Sequence, residues 1–298
     1  MSVLALLHSY IVEPLSHDFM QRALIVAVIV GAVSAVLSCY VILKGWSLMG
    51  DAVSHAVLPG IVIAHLIGAP LAIGAFASGL LCAVFAGYLR ANSRVKEDTV
   101  LGIVFSGLFA FGLVLFTKVD TGEHLLHILF GNLLGVRWDD IAEIAIVGGT
   151  TLVIVLAKRR DLLLYCFDPT HARAIGLPVT WLHYGLLALL SATIVTALKA
   201  VGIILVIAML IAPGAIAFLL TQRFEAMLVI AAASAIGTSI AGTLISFHID
   251  AATGPTIVVL QAALFIVALI AYALRQHGTG ATVDPVGDAR VPVGAHTP

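Results

Sequence analysis

The stretch Ser47-Leu-Met-Gly-Asp-Ala-Val-Ser-His-Ala-Val-Leu-Pro-Gly60 places an aspartate and a histidine inside a long apolar run. Asp51 and His55 are four positions apart, so on an α-helix both side chains lie on one face, about 6 Å apart along the axis. A carboxylate in a membrane-spanning helix costs about 2.5–3.5 kcal/mol on insertion scales, which indicates a function. Pro59 has no N–H, so the His55 carbonyl loses its helical partner. Carboxylate, imidazole and carbonyl are ligands that divalent first-row metals accept.

The composition is that of an integral membrane protein. Of the 298 residues, 61% are hydrophobic and 10% are charged, whereas soluble domains carry about 25% charged residues. The apolar runs are continuous and not alternating, which predicts membrane-spanning helices rather than a β-barrel. The net charge of −1 gives no indication of nucleic-acid binding. The three cysteines are scattered, so neither a disulfide framework nor a cysteine-based zinc site is predicted.

Hydrophobic segments between residues 19 and 275 predict an all-α, polytopic transmembrane helical bundle of about eight to nine spans. Residues 1–18 are expected to form an N-terminal interfacial segment, and residues 276–298 a disordered polar tail. Basic clusters after the third and fifth spans mark the cytoplasmic side, so the N-terminus lies outside and the tail inside. This scheme puts Asp51 nearer the inner end of the second span than its middle. Lys199 falls in a loop that this scheme places outside, which conflicts with the rule that basic residues concentrate in cytoplasmic loops.

Proline and glycine residues predict bends in two of the spans. Ala212-Pro213-Gly214 is expected to interrupt the seventh span, because proline removes a backbone donor and frees carbonyl groups. Broken spans in transporters usually line a cavity. Pro59, Pro213 and Gly214 are therefore the predicted hinges of a pathway, with a kink of no functional consequence as the alternative.

The polar stretch of residues 158–178 carries the signals of a short, capped cytoplasmic helix. Asp168 is a good N-cap residue, and Pro169 fits the first helical position. Gly176 fits the helix terminus, and Pro178 prevents its continuation. A helix of about two turns is too short to be stable alone. We therefore expect it to dock on a cytoplasmic partner; the alternative is a plain surface connector.

These motifs together resemble the membrane permease subunits of ABC importers for manganese, zinc and iron(II). The stretch of residues 47–60 and the segment Asp168-Pro-Thr-His-Ala-Arg-Ala-Ile-Gly-Leu-Pro178 carry most of the resemblance. Residues 96–106 and 202–215 agree with it, and residues 247–258 resemble the manganese-leaning branch.

The resemblance implies a non-enzymatic, multi-pass subunit of a bacterial cytoplasmic (inner) membrane. Its partners would be a second permease copy or a sister permease, two cytoplasmic ATPase subunits and an extracytoplasmic metal-binding protein. The transported ion would be Mn²⁺, with Zn²⁺ and Fe²⁺ as alternatives, and no cofactor would be bound permanently. ATP would be hydrolysed by the partner, and this sequence itself contains no Gly-x-x-x-x-Gly-Lys-Ser/Thr loop.

The metal-contacting Asp and His of that family correspond to Asp51 and His55. Two facing permeases would bring four such ligands together near a twofold axis. A helix cap at Asp51 and a buried, hydrogen-bonded imidazole at His55 are the structural alternatives. Further candidate ligands are His65 on the same helix, and His248 and Asp250 at the outer end of the eighth span. His124 and His127 are interpreted as surface residues.

The coupling helix of that family, which sits in a groove of the ATPase, corresponds to residues 168–177. The resemblance assigns the contact with the ATPase to Asp168, Pro169, His171, Arg173 and Gly176.

A secondary cation carrier driven by protons or sodium is the alternative function. Such carriers usually need several intramembrane carboxylates as relays. Here Asp51 is the clearest one, with Glu143 near the end of a span. The carrier hypothesis also leaves the capped cytoplasmic helix unexplained. A membrane scaffold or sensor does not explain an Asp–His pair within a span.

Overall fold

A computed structural model describes residues 13–117, 131 and 133–278 of the chain, and the statements below refer to those residues. Within them, the predicted all-α membrane bundle is confirmed, because eight helices are long and apolar enough to cross a membrane. The ten helices named here are α1 (Asp18–Lys44), α2 (Met49–Leu66), α3 (Leu71–Asn92), α4 (Glu97–Phe116), α5 (Trp138–Ala157), α6 (Arg159–Phe167), α7 (Pro169–Ala174), α8 (Val179–Leu220), α9 (Phe224–His248) and α10 (Thr253–Gly278).

Helix α8 consists of two helical segments that run in opposite directions. Its 42 residues would span about 63 Å as one straight helix, roughly twice the hydrocarbon core. Gly202 breaks it with φ 78° and ψ 168°, a conformation that glycine adopts readily. The Nδ1 atom of His183, near the start of α8, lies 2.7 Å from the Tyr165 hydroxyl of α6. Phe218, near its end, shares a small pocket with Phe167 of α6. Both ends of α8 therefore lie at the inner side.

The predicted interruption at residues 212–214 was wrong. The backbone stays helical through Pro213, and the residue of α8 with non-helical dihedral angles is Gly202. Gly214 is instead a packing residue, since a Cβ atom there would lie 2.6 Å from the Ser38 carbonyl oxygen of α1. Pro59 is likewise buried within a continuous α2. Proline is tolerated at both places because neighbouring helices enclose it.

Helix α2 occupies the centre of the bundle. In its most apolar window, 72% of the residues are buried, against 22% in α4. Its backbone touches that of α3 directly, because a Cβ atom on Gly60 or on Gly74 would overlap the carbonyl of the other glycine. Such contacts between glycines allow helix backbones in membranes to approach closely.

Asp51 lies level with the middle of the neighbouring spans, not near the inner end as expected. Gly50 packs against Leu210, which is central in the second segment of α8. The Cys82 thiol, at the middle of α3, lies 3.8 Å from the Ala52 carbonyl. The turn before α2 enters the bundle, as Trp46 is only 1% exposed. This buried turn carries the start of α2 away from the inner surface.

Ion pairs lie at both ends of the bundle. Lys199 Nζ lies 3.1 Å from Glu143 Oε2, so the lysine that conflicted with the charge rule has a carboxylate partner on α5. At the inner end, Arg159 of α6 pairs with Glu225 of α9 at 2.9 Å.

The described chain ends within helices or close to them. Helix α1 begins at Asp18. Helix α10 continues to Gly278, and near its end Gln276 donates a hydrogen bond to Tyr272 one turn earlier. Residues 1–12 and 279–298 lie outside the described part of the chain.

Candidate metal site

Asp51 and His55 contact each other on one face of α2. The Oδ1 atom of Asp51 lies 3.2 Å from the Nε2 atom of His55, and the side chains are 32% and 30% exposed, respectively. Leu48 occupies the N-cap position of α2, so Asp51 pairs with the imidazole and is not the predicted alternative cap. The His55 Nδ1 atom is buried without a hydrogen-bond partner among the described residues. The carboxylate of Asp51 therefore contacts only one of the two imidazole nitrogens.

Two phenylalanines of α4 enclose the imidazole of His55. The Phe105 ring is stacked on it at a centroid distance of 5.8 Å and an interplanar angle of 24°. The Phe109 ring meets it edge-on at 5.1 Å and 75°. No motif in the sequence singles out these two residues. Their spacing of four positions places them on one face of α4, but so do many apolar pairs in a span.

A cavity of about 610 Å³ leads from His55 to the outer ends of the helices. Among the described residues that line it, His55 is the one ionisable side chain, and Phe109 lies beside it. Farther out, Leu133, the break around Gly202 and the start of α10 at Thr253–Pro255 form the walls. A polar group at the inner end of an apolar cavity is the arrangement expected for recognition of a small ligand.

The other predicted ligands do not join Asp51 and His55. In the described ranges, no group of three or more His, Cys, Asp or Glu side chains is arranged to hold a metal ion. His65 is exposed, ten residues and about 15 Å farther along α2. His248 and Asp250 are exposed at the end of α9. His124 and His127 lie outside the described residues. The described residues of one chain therefore supply two side-chain ligands, Asp51 and His55, to this site.

The short capped helix forms as the sequence predicts. The Asp168 carboxylate accepts hydrogen bonds of 2.9 Å from the backbone N–H groups of Thr170 and His171. Pro169 is its first residue. At its end, Gly176 has φ 86° and its N–H donates to the Arg173 carbonyl at 3.1 Å. The helix is six residues long, slightly shorter than the two turns expected.

One face of α7 is exposed in the described part of the chain. Ala172 is completely buried against the rest of the chain. His171 and Arg173, on either side of it, are exposed, as are Asp168 and Gly176. The helix thus anchors through one small residue and presents basic side chains outward.

Aromatic contacts link α6 to the turn that precedes Asp51. Tyr165 lies under the Lys44 ammonium, 4.1 Å from the ring centroid, and contacts His183 through its hydroxyl. His183 in turn meets the Trp46 ring at 5.3 Å. Beside Tyr165, burial raises the pKa of the Cys166 thiol to about 12. The described residues therefore connect α6 to the start of α2 without a gap. No local pattern in the sequence predicts this link.

Comparisons with known proteins agree with the sequence motifs. A family model described as the ABC 3 transport family matches residues 16–272. The chelated iron transport system membrane protein YfeD of Yersinia pestis is 63% identical over 265 residues, with 89% of each chain covered. The manganese transport system membrane protein MntB of Synechocystis sp. is 52% identical over 261 residues, covering 88% of this chain and 85% of that one.

Among solved structures, PsaBC from Streptococcus pneumoniae in complex with Fab is similar to this chain, with a TM-score of 0.79 and 38% sequence identity. The match covers 88% of this chain and 95% of that one.

Proposed function

Because this chain belongs to the ABC 3 transport family, we propose that it is the membrane-spanning permease subunit of an ATP-driven importer of divalent transition-metal ions. Mn²⁺ is the leading substrate, and Fe²⁺ and Zn²⁺ are the alternatives. Relatives named for manganese and for iron transport support Mn²⁺ and Fe²⁺ among these ions. The chain acts as a multi-pass protein of the bacterial cytoplasmic membrane, and ATP is hydrolysed by a separate cytoplasmic subunit.

The distance between Asp51 and His55 carries this proposal. A divalent ion bound to both side chains at about 2.1 Å, with an angle of roughly 90–110°, would hold the two donor atoms about 3.0–3.4 Å apart. The observed separation of 3.2 Å falls within that range. The two donor atoms are therefore already as far apart as one shared ion requires. Mn²⁺ binds such ligands more weakly than Fe²⁺ or Zn²⁺ does, so its selection depends on geometry and delivery.

Two permeases complete the site. Structural and transported metal ions take four or more ligands, and one chain supplies two side chains here. A second copy, or a sister permease, that faces the half-exposed Asp51 and His55 would add the same pair. The shared site would then lie between two subunits, level with the middle of the bundle.

The import path begins at the outer cavity. An extracytoplasmic binding protein delivers the ion to the mouth formed near Gly202 and Thr253, and the ion reaches His55 through the cavity. On the inner side, two ATPase subunits act on the exposed faces of the α7 helices. Movement of α6 reaches the start of α2 through Tyr165, His183 and Trp46. ATP binding thus changes the access to the Asp51–His55 pair.

A carrier driven by protons or sodium fits the described residues less well. Glu143, the second carboxylate that a relay would use, is already paired with Lys199 near the outer end. The capped first turn and the exposed face of α7 would also have no role in a carrier.

The test is uptake by proteoliposomes that contain the whole complex, with Mn²⁺, Fe²⁺ and Zn²⁺ compared. In the native complex, we expect uptake of one ion to depend on ATP. In Asp51→Asn, which keeps the size and removes the charge, uptake should fall tenfold or more, since even groups that only support a ligand contribute about 10–100-fold in affinity. Asp139→Asn is the control, because that carboxylate is 87% exposed in a surface pair with Arg137. Uptake driven by a proton gradient without ATP would overturn the proposal.

A further inference from the structure

Helix α4 covers the side of α2 that carries His55. Phe105, Phe109 and Gly112 follow one another at intervals of four and three residues, so they form one stripe along α4. Opposite this stripe, His55 and Pro59 are one turn apart on α2. The two phenylalanines contact the imidazole, and Gly112 contacts Pro59. The three residues therefore act on the same turn of α2.

Gly112 sets how closely the two helices approach. A Cβ atom at this position would lie 2.8 Å from both the nitrogen and the Cδ atom of Pro59, and 3.0 Å from Cγ of Leu58. Real Cβ atoms need more space than this, so any larger residue would push α4 away from α2. The glycine thus keeps Phe105 and Phe109 against the His55 ring.

Hydrogen bonding alone does not fix the orientation of His55. A histidine that binds a metal through one nitrogen normally donates the other N–H to a carboxylate, a carbonyl or water, which holds the ring in place. Here Nδ1 is buried and has no such partner in the described part of the chain. A half-turn of the ring about its bond to Cβ would carry Nε2 away from Asp51. Phe105 on the face and Phe109 at the edge obstruct that rotation.

We propose that Phe105, Phe109 and Gly112 form an aromatic clamp on His55 that positions Nε2 for the ion and makes the site discriminate between metals. This inference rests on the proposed function of the Asp51–His55 pair. A rigid imidazole presents its nitrogen in one direction, so ions that prefer another coordination geometry bind less well. A loose imidazole would adapt to each ion, and affinity would then follow the intrinsic order, which places Zn²⁺ above Mn²⁺.

The clamp is tested with Phe105→Leu, Phe109→Leu and Gly112→Ala in the whole complex. We expect the KM for uptake of the native ion to rise about tenfold, and uptake of Zn²⁺ relative to Mn²⁺ to increase. Phe111→Leu is the control for the phenylalanines, because Phe111 is in the same helix and is 51% exposed. Gly107→Ala is the control for Gly112, because no atom lies within 4 Å of its added Cβ.

A second readout separates positioning from general damage. The absorption spectrum of Co²⁺ bound to the purified complex reports ligand geometry and needs no transport. A clamp that positions His55 predicts a changed Co²⁺ spectrum in Phe109→Leu, with the ATPase subunits still bound. An unchanged spectrum together with native metal discrimination in the folded Phe→Leu variants would overturn the clamp. Failure of the proposed function is distinguishable, because the native complex itself would then take up no metal with ATP.

Discussion

At the scale of single residues, Asp51 and His55 meet because they lie one helical turn apart on α2. Asp51 Oδ1 and His55 Nε2 are 3.2 Å apart, and each side chain is about one third exposed. A metal ion bound through Nε2 requires that nitrogen to carry no proton. The ion would then lie between two side chains that already contact each other.

Asp168 provides the residue-scale prediction, because a single side chain caps α7. Replacing it with alanine removes both hydrogen bonds to the first turn, which typically costs about 1 kcal/mol of helix stability. In Asp168→Ala, we expect fewer metal ions transported per ATP hydrolysed, and less ATPase retained during purification in mild detergent.

Asp168→Asn is the matched control, since asparagine caps helices about as well as aspartate. It should keep the native ratio of transport to hydrolysis. Equal ratios in the alanine and asparagine variants would mean that the cap has no part in coupling.

At the scale of the elements, the reversal of α8 depends on Gly202. Its φ of 78° with ψ of 168° is strained for any residue with a Cβ atom, at about 1–3 kcal/mol. We therefore expect Gly202→Ala to lower the thermal unfolding midpoint of the detergent-solubilised protein. Gly185→Ala is the control in the same helix, because its added Cβ would meet no atom within 4 Å. Identical thermal unfolding midpoints for Gly202→Ala and Gly185→Ala would show that the reversal of α8 does not depend on Gly202.

The elements also explain which features the sequence could predict. Long apolar runs and the punctuation around α7 are local signals, so the helices and the capped turn were predicted correctly. The break in α8 was not, because Pro213 is the stronger breaker in isolation while packing around it keeps the helix intact. The depth of Asp51 was missed for a similar reason. The turn at Trp46 is buried as a consequence of tertiary packing, and no local sequence pattern predicts it.

The residues of the candidate site also differ in whether the sequence alone could predict them. Asp51 and His55 were found because their spacing lies within one helical turn, and that spacing is readable in the sequence. Phe105, Phe109 and Gly112 were not found, because a span that is apolar on all sides gives no signal of which face meets another helix. The link from Tyr165 through His183 to Trp46 joins three separate stretches of the chain. Only the folded structure brings those stretches together.

At the scale of the whole molecule, a single chain is half of the proposed transport site. The cavity leads to His55 from the outer side, α7 offers its exposed face on the inner side, and α2 connects the two regions. In the described residues, this arrangement supplies two side-chain ligands and no third. The account therefore requires a second permease, whose Asp and His complete the coordination of one ion.

The most direct test of this requirement is the number of Mn²⁺ ions bound by the purified complex without ATP, measured by equilibrium dialysis with electron paramagnetic resonance. The account predicts one tightly bound ion for each pair of permease chains, and loss of that ion in Asp51→Asn. One ion for each single chain, or undiminished binding in Asp51→Asn, would contradict it.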